Sequence, residues 1–375
     1  MKQLIFLVAL FFIACTEKET EPSPLDIVLQ NEHPAIANVM NKPAVYDVQI
    51  IYTKIDTDSK GKTVFTDYSF QLDAKNYFYP ANSVALPAAA LALEFIDKTE
   101  GISANDTYTI SRDTLTHLIA NDVQQIFAAS NKESYNRLYE LLGRDAINQS
   151  LRSKGLSPVR IAHRLETDNA DNPQREKLVF GGATLGGEKD TPVEAISVNA
   201  FNKGLGFIKN DSLVSEPMDF SEKNYLPLKV QHDILKRIYF EENFSETERF
   251  QLSQSSKELL KKAMHTAPRK VGYDEGEFYD SYAKFFIFGN SRGRIQDHIK
   301  VYNKSGYGLG YMTDTALIVD EKKDVAFLIS ATILVNKNEI FNDELYEYGT
   351  IGLDFFTELG RGLYHYELNR KAPKN

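Results

Sequence analysis

The chain has no tryptophan, one cysteine (Cys15) and no stretch of clustered lysine and arginine. A single thiol excludes an intramolecular disulfide and a cysteine-built metal site. A formal net charge of -9 without a basic run argues against a phosphate-backbone partner, so nucleic acid is not expected. The histidines (His33, His117, His163, His232, His265, His298 and His365) include no pair at metal-ligand spacing, and neither a metal nor another cofactor is expected. A G-x-S-x-G elbow, a phosphate-cradling glycine loop and a dinucleotide fingerprint are all missing. The glycine-rich "FGGATLGGEKD" does not lead from a strand into a helix and reads as a loop. No self-similarity at solenoid periods is evident.

Long apolar runs are also lacking. The one at the start, Leu4 to Ala14 in "MKQLIFLVALFFIAC", is too short to span a bilayer and suits the apolar core of a signal peptide. A small residue directly before Cys15 resembles a bacterial lipobox, with Phe12 where Leu is more usual. That resemblance implies cleavage before Cys15, lipid attachment to it, and a protein tethered to membrane in the bacterial cell envelope. Residues 16–30, charged and proline-containing, read as a flexible tether, and residues 31–375 as one domain.

Within that domain "AVYDVQIIYTKID" alternates as a strand, "TDSKGK" is a turn, and "TVFTDYSFQLD" is its hairpin partner. "VALPAAALALEFIDK" reads as a helix with Pro87 tolerated near its start. Residues 111–264 are mostly helical, and Ser130 with Glu133 forms a capping-box pattern ahead of "YNRLYELL", which Gly143 stops. Residues 169–198 read as long loops. Strands return in "DSYAKFFIFG", "GYGLGYMTDTALIVDE" and "VAFLISATILVN", with Asp314 and Asp320 expected at strand ends and turns, and a helix closes the chain. The expected class is α/β: an antiparallel sheet built from both chain ends, flanking helices and an inserted helical lobe.

Residues 77–98, "YFYPANSVALPAAALALEFIDK", resemble the nucleophile segment of the penicillin-recognising serine hydrolases, the class A β-lactamases and their peptidase relatives. They are most similar to a lipoprotein branch with "YPAS-x-x-K-hydrophobic-P" before an alanine-rich helix. The resemblance extends through "YNRLYELLG", "YNKSG" and "SATILVN…YEYGTIGLDFFTELGR" and covers nearly the whole mature chain. It implies a serine at a helix start and a lysine one turn later, where it shares a helix face and deprotonates the hydroxyl. Here those places hold Asn82 and Ala85, a carboxamide and a methyl group. Ser83 is one residue out of register, about 100° around the helix, and reads with Asn82 as a helix cap.

The family's S-D-N element falls on Ser130-Asn131-Lys132, which keeps only the serine; a shifted S-x-N, Ser134-Tyr135-Asn136, lies inside the helix. Lys132 could bring a cation toward the vacated lysine site. The K-[ST]-G element is Lys304-Ser305-Gly306, which the resemblance places on a sheet-edge strand facing a ligand carboxylate. Lysine supplies charge, the hydroxyl a hydrogen bond, and glycine room for close approach. Arg164-x-Glu166 with Asn169 echoes the family's loop carboxylate, although an exposed acidic loop explains it too. Three readings follow: a catalytically degenerate envelope lipoprotein that binds a β-lactam or peptidoglycan fragment noncovalently; a serine hydrolase rewired to Ser83 or Ser130 with Lys132 or Lys304; or a structural lipoprotein with a vestigial cleft.

Overall fold

The computed structural model describes residues 21–372 except Arg112. The signal segment and Cys15 lie outside the described residues. Five antiparallel strands form the main sheet: β1 (Gln49–Thr57), β2 (Thr63–Phe70), β3 (Ile299–Gly308), β4 (Tyr311–Asp320) and β5 (Val325–Leu334), in the order β3-β4-β5-β1-β2. The chain ends meet where Ile50 of β1 pairs with Ala331 of β5. β4 and β5 are buried almost end to end because helices cover both faces of the sheet, which for β4 includes the polar Thr313, Asp314 and Thr315.

One cover consists of α1 (Pro24–Leu29), α2 (Pro34–Met40) and, further along the chain, the C-terminal helix Leu353–Lys371. Their apolar faces join Ile318, Phe327 and Ile329 in one core. The other cover is the inserted lobe: α3 (Ala85–Asp97), α4 (Ile119–Ala129), α5 (Lys132–Leu142), α6 (Arg144–Ser153), α7 (Leu228–Tyr239) and α8 (Gln254–His265), packed against Leu317 and Leu328. The expected fold class is the observed one.

Several local expectations are corrected. The tether stops short of residue 30: Ser23 and Asp26 make a reciprocal capping box, and Leu25, Val28 and Leu29 bury one face of α1 at i, i+3 and i+4 spacing. Residues 169–198 are not all loop, since Lys177–Phe180 and Ala183–Gly186 pair as a hairpin within the glycine-rich stretch. "DSYAKFFIFG" is not a strand. Its backbone is held by side chains instead: Phe285 N–H donates to Asp314, and the Ala283 carbonyl accepts from Asn303 and Ser305. "GYGLGYMTDTALIVDE" is divided by a tight turn at Leu309 and Gly310, both at positive φ, so Lys304-Ser305-Gly306 lies late in β3 and not at the head of the next strand. Asp314 sits mid-strand in β4, fully buried, and not at a strand end.

Candidate ligand-binding cleft

A cleft of about 320 Å³ opens where three pieces of backbone converge: the end of edge strand β3, the turn Ala81–Val84 ahead of α3, and the junction of α4 with α5. Gly306 makes the first convergence possible. A Cβ on it would stand 2.7 Å from Ser83 N, 2.8 Å from Asn82 N and 2.8 Å from the Pro80 carbonyl, and backbone atoms there have nowhere to go. Gly306→Ala is therefore expected to push β3 off the α3 entry turn, lowering stability by about 1–3 kcal/mol. A urea midpoint unchanged from the parent protein would contradict this packing.

The entry turn presents the two substituted positions differently. Asn82 is half-buried in the cleft wall and donates from Nδ2 to the Ser130 carbonyl at 3.0 Å. Ala85 is buried in the core of the helical lobe. Ser83 turns away: its hydroxyl donates to the Pro80 carbonyl at 2.7 Å, and the residue is 1% exposed.

The α4–α5 junction overturns the expected capping box. Ser130 ends α4 in the left-handed region, at φ 53°, and Asn131 is the residue that caps α5, its Oδ1 accepting from Ser134 N–H at 2.9 Å. The physical reason is the left-handed residue, which sets the first turn of α5 one position later than the sequence pattern suggests. Ser130 is thereby relieved of a capping role, lines the cleft, and receives a hydrogen bond on Oγ from Lys304 Nζ at 2.9 Å. Ser134 and Asn136 are buried helix positions; Asn136 pins the Leu165 backbone through both ends of its carboxamide.

Lys304 is 2% exposed, just beneath the cleft, and also donates to the Ser305 carbonyl at 2.5 Å. Burial pushes its ammonium down to about 7; Asp314 opposes that shift and Lys284 adds to it. Behind β3 lies a polar cluster that sequence reasoning missed. Lys284 donates to Asn303 Oδ1 at 2.7 Å, and Asn303 donates to Asp314 at 2.8 Å. Desolvation raises the Asp314 carboxyl and lowers the Lys284 ammonium. A lone carboxylate inside the apolar run "YMTDTALIV" was the available signal.

On the rim, Lys132 and Glu166 form an exposed ion pair at 2.5 Å. Lys132 thus points to the rim carboxylate and not toward Ala85. Arg164 does not face the cleft; it is buried in a bidentate pair with Glu140 under the same loop. Tyr273, Phe278, Tyr282 and Tyr307 also line the cleft, an aromatic wall in which neighbouring ring centroids lie 4.6 Å (Tyr273–Phe278) and 4.7 Å (Phe278–Tyr282) apart. Among the described residues, no group of three metal-ligating side chains occurs and no helix is long and apolar enough to cross a membrane.

No family model matches the chain, and no curated protein matches it. Solved structures do. A β-lactamase from Sphaerobacter thermophilus superposes with a TM-score of 0.51 at 12% identity, covering 94% of this chain and 98% of that one. A β-lactamase from Xanthomonas campestris pv. campestris gives 0.50 at 14% identity over 91% and 98%. L2 complexed with relebactam gives 0.50 at 12% identity over 92% and 98%. The fold is β-lactamase-like.

Proposed function

We propose that this β-lactamase-like fold works as a lipid-anchored binding protein of the bacterial cell envelope, tethered through Cys15. Its cleft takes a carboxylate-bearing ligand of the β-lactam or peptidoglycan-fragment class, held noncovalently. One observation carries the reading. A buried lysine, Lys304, lies just beneath the cleft surface that Ser130, Ser305 and Gly306 line and reaches it through the Ser130 hydroxyl, while Asn82 on the α3 entry turn is a carboxamide already committed to the Ser130 carbonyl. A desolvated ammonium is a strong partner for an anion because little water competes for it. The aromatic wall supplies apolar area for a ring or acyl side chain attached to that anion. The S. thermophilus and X. campestris neighbours are β-lactamases, which makes β-lactams the natural ligands to test.

The pH dependence has a definite sign. Anion binding uses the Lys304 ammonium, whose proton is present below about pH 7 and lost above it. Affinity for benzylpenicillin or an N-acyl-D-Ala-D-Ala peptide is therefore expected to be highest near pH 6. It should fall by up to about tenfold per pH unit above 7. Thermal shift reads this directly: ligand at about 100 Kd stabilises the fold by about 2.7 kcal/mol at pH 6, and by less at pH 9. No shift at pH 6 across such a panel would reject the binding reading in favour of a structural lipoprotein.

A further inference from the structure

We infer that Ser130 is a nucleophile, with Lys304 as its proton acceptor and Asn82 as the clamp that positions it, so that the cleft acylates itself at the α4–α5 junction instead of at the start of α3. This rests on the binding reading above for the complex that forms while Lys304 is protonated, and replaces purely noncovalent retention by a covalent step where the amine is neutral.

The hydroxyl and the amine stand 2.9 Å apart, within direct proton-transfer distance. The hydroxyl lines the cleft beside Ser305 and Gly306, while the amine lies beneath it, away from bulk water. A buried amine flanked by a second buried lysine, Lys284, gains its neutral form near neutral pH, with Asp314 the one charge holding it back. The competing assignments fail on geometry. Ser83 donates to the Pro80 carbonyl and is buried, and Lys132 is held by Glu166.

The backbone at Ser130 supports the same role. Ser130 closes α4 in the left-handed region at φ 53°, and this turn of the chain leaves its side chain lining the cleft. Its peptide carbonyl is fixed from across the cleft by Asn82 Nδ2 at 3.0 Å. The carboxamide thereby acquires a function: it holds the replacement nucleophile from the position where the family frame would carry the original one.

The acceptor is an activated acyl compound, a strained cyclic amide or an ester. Neutral Lys304 takes the Ser130 hydroxyl proton as Oγ bonds to the carbonyl carbon, and the carbonyl π pair moves onto oxygen. Collapse re-forms the C=O and breaks the bond to the leaving nitrogen or oxygen. That atom takes the proton from the Lys304 ammonium. The acyl group ends on Ser130, the proton on the leaving group, and Lys304 returns to the amine.

Covalent and noncovalent behaviour then have opposite pH dependence, which separates their tests. Benzylpenicillin is incubated with the protein at pH 6 and pH 8.5, followed by intact mass and peptide mapping. With ligand held saturating at both pH values, the expected result is one penicilloyl adduct on Ser130 that forms faster at pH 8.5 than at pH 6, because the neutral amine is the proton acceptor. Ser130→Gly, which accepts the left-handed backbone, should abolish it, and Ser83→Ala should leave it intact. Lys304→Met should slow it by about 10²–10⁴-fold, the usual contribution of a positioned base. No adduct at either pH, an adduct elsewhere, one that survives Ser130→Gly, or a pH-independent rate overturns the inference. If the pH 6 thermal shift persists in that case, the binding reading stands and only the covalent step falls.

Discussion

Lys304→Met is expected to weaken binding of a carboxylate ligand at pH 6 by about 2–5 kcal/mol, roughly thirty- to several-thousand-fold, with a smaller change in the stability of the free protein. The two readouts separate because the lysine's cost and its use fall in different states. In the free protein its ammonium is desolvated, and nothing nearer than Asp314 compensates it electrostatically. Methionine fills similar volume without that desolvation penalty but gives up the hydrogen bonds to Ser130 Oγ and the Ser305 carbonyl, so the two effects oppose each other in the free protein. In the complex, by contrast, the ammonium is the charge that meets the anion. Calorimetric titration at pH 6 with a urea melt of the same variant checks both halves. Unchanged affinity would place the anion elsewhere in the cleft.

Arg164→Ala should cost about 3–5 kcal/mol of folding stability, the range for removing one member of a buried ion pair. Arg164 and Glu140 are 3% and 1% exposed at the side chain, with Nε to Oε1 at 2.5 Å and Nη2 to Oε2 at 3.0 Å. The same guanidinium also donates to the carbonyls of Asn172 at 2.7 Å and Gln174 at 3.2 Å, so it closes the loop that carries Glu166 to the cleft rim. Alanine removes that closure and leaves the Glu140 carboxylate buried without its cation. Urea denaturation measures the loss, and faster amide exchange across residues 165–174 should accompany it. A loss below 1 kcal/mol would mean that the loop is held by other contacts, such as the Asn136 clamp on Leu165.

These two residues also show what was and was not readable in the chain. Lys304 was legible through the resemblance, because lysine, hydroxyl and glycine stand consecutively, in the order of the family's elements, beside a strand. Arg164 was legible only as one letter of a loop echo. Its partner lies 24 residues earlier, on a helix whose exposed and buried faces the pattern alone did not separate at Glu140. Ser130 was misjudged by one position of helix register, because a left-handed backbone angle leaves no mark on the sequence unless the residue is glycine or asparagine. Asp314 was misplaced since acidic residues ordinarily end strands, and only the Asn303 and Phe285 donors permit one inside β4.

By itself the sequence determined the layered α/β class, the antiparallel sheet made from both ends, the alanine-rich helix, and the fact that its entry and first residue carry a carboxamide and a methyl group. The strands and helices follow from periodicity and side-chain chemistry, which act over a few residues; the places of Asn82 and Ala85 follow from the resemblance to the serine hydrolases. Only the tertiary structure decided which hydroxyl meets which amine. Ser130 and Lys304 are 174 residues apart and touch because β3 is stitched to the edge of the sheet while the α4–α5 turn is packed by the helical lobe. A contact of that separation is fixed by how two independently formed layers dock, and neither segment carries a local record of the other.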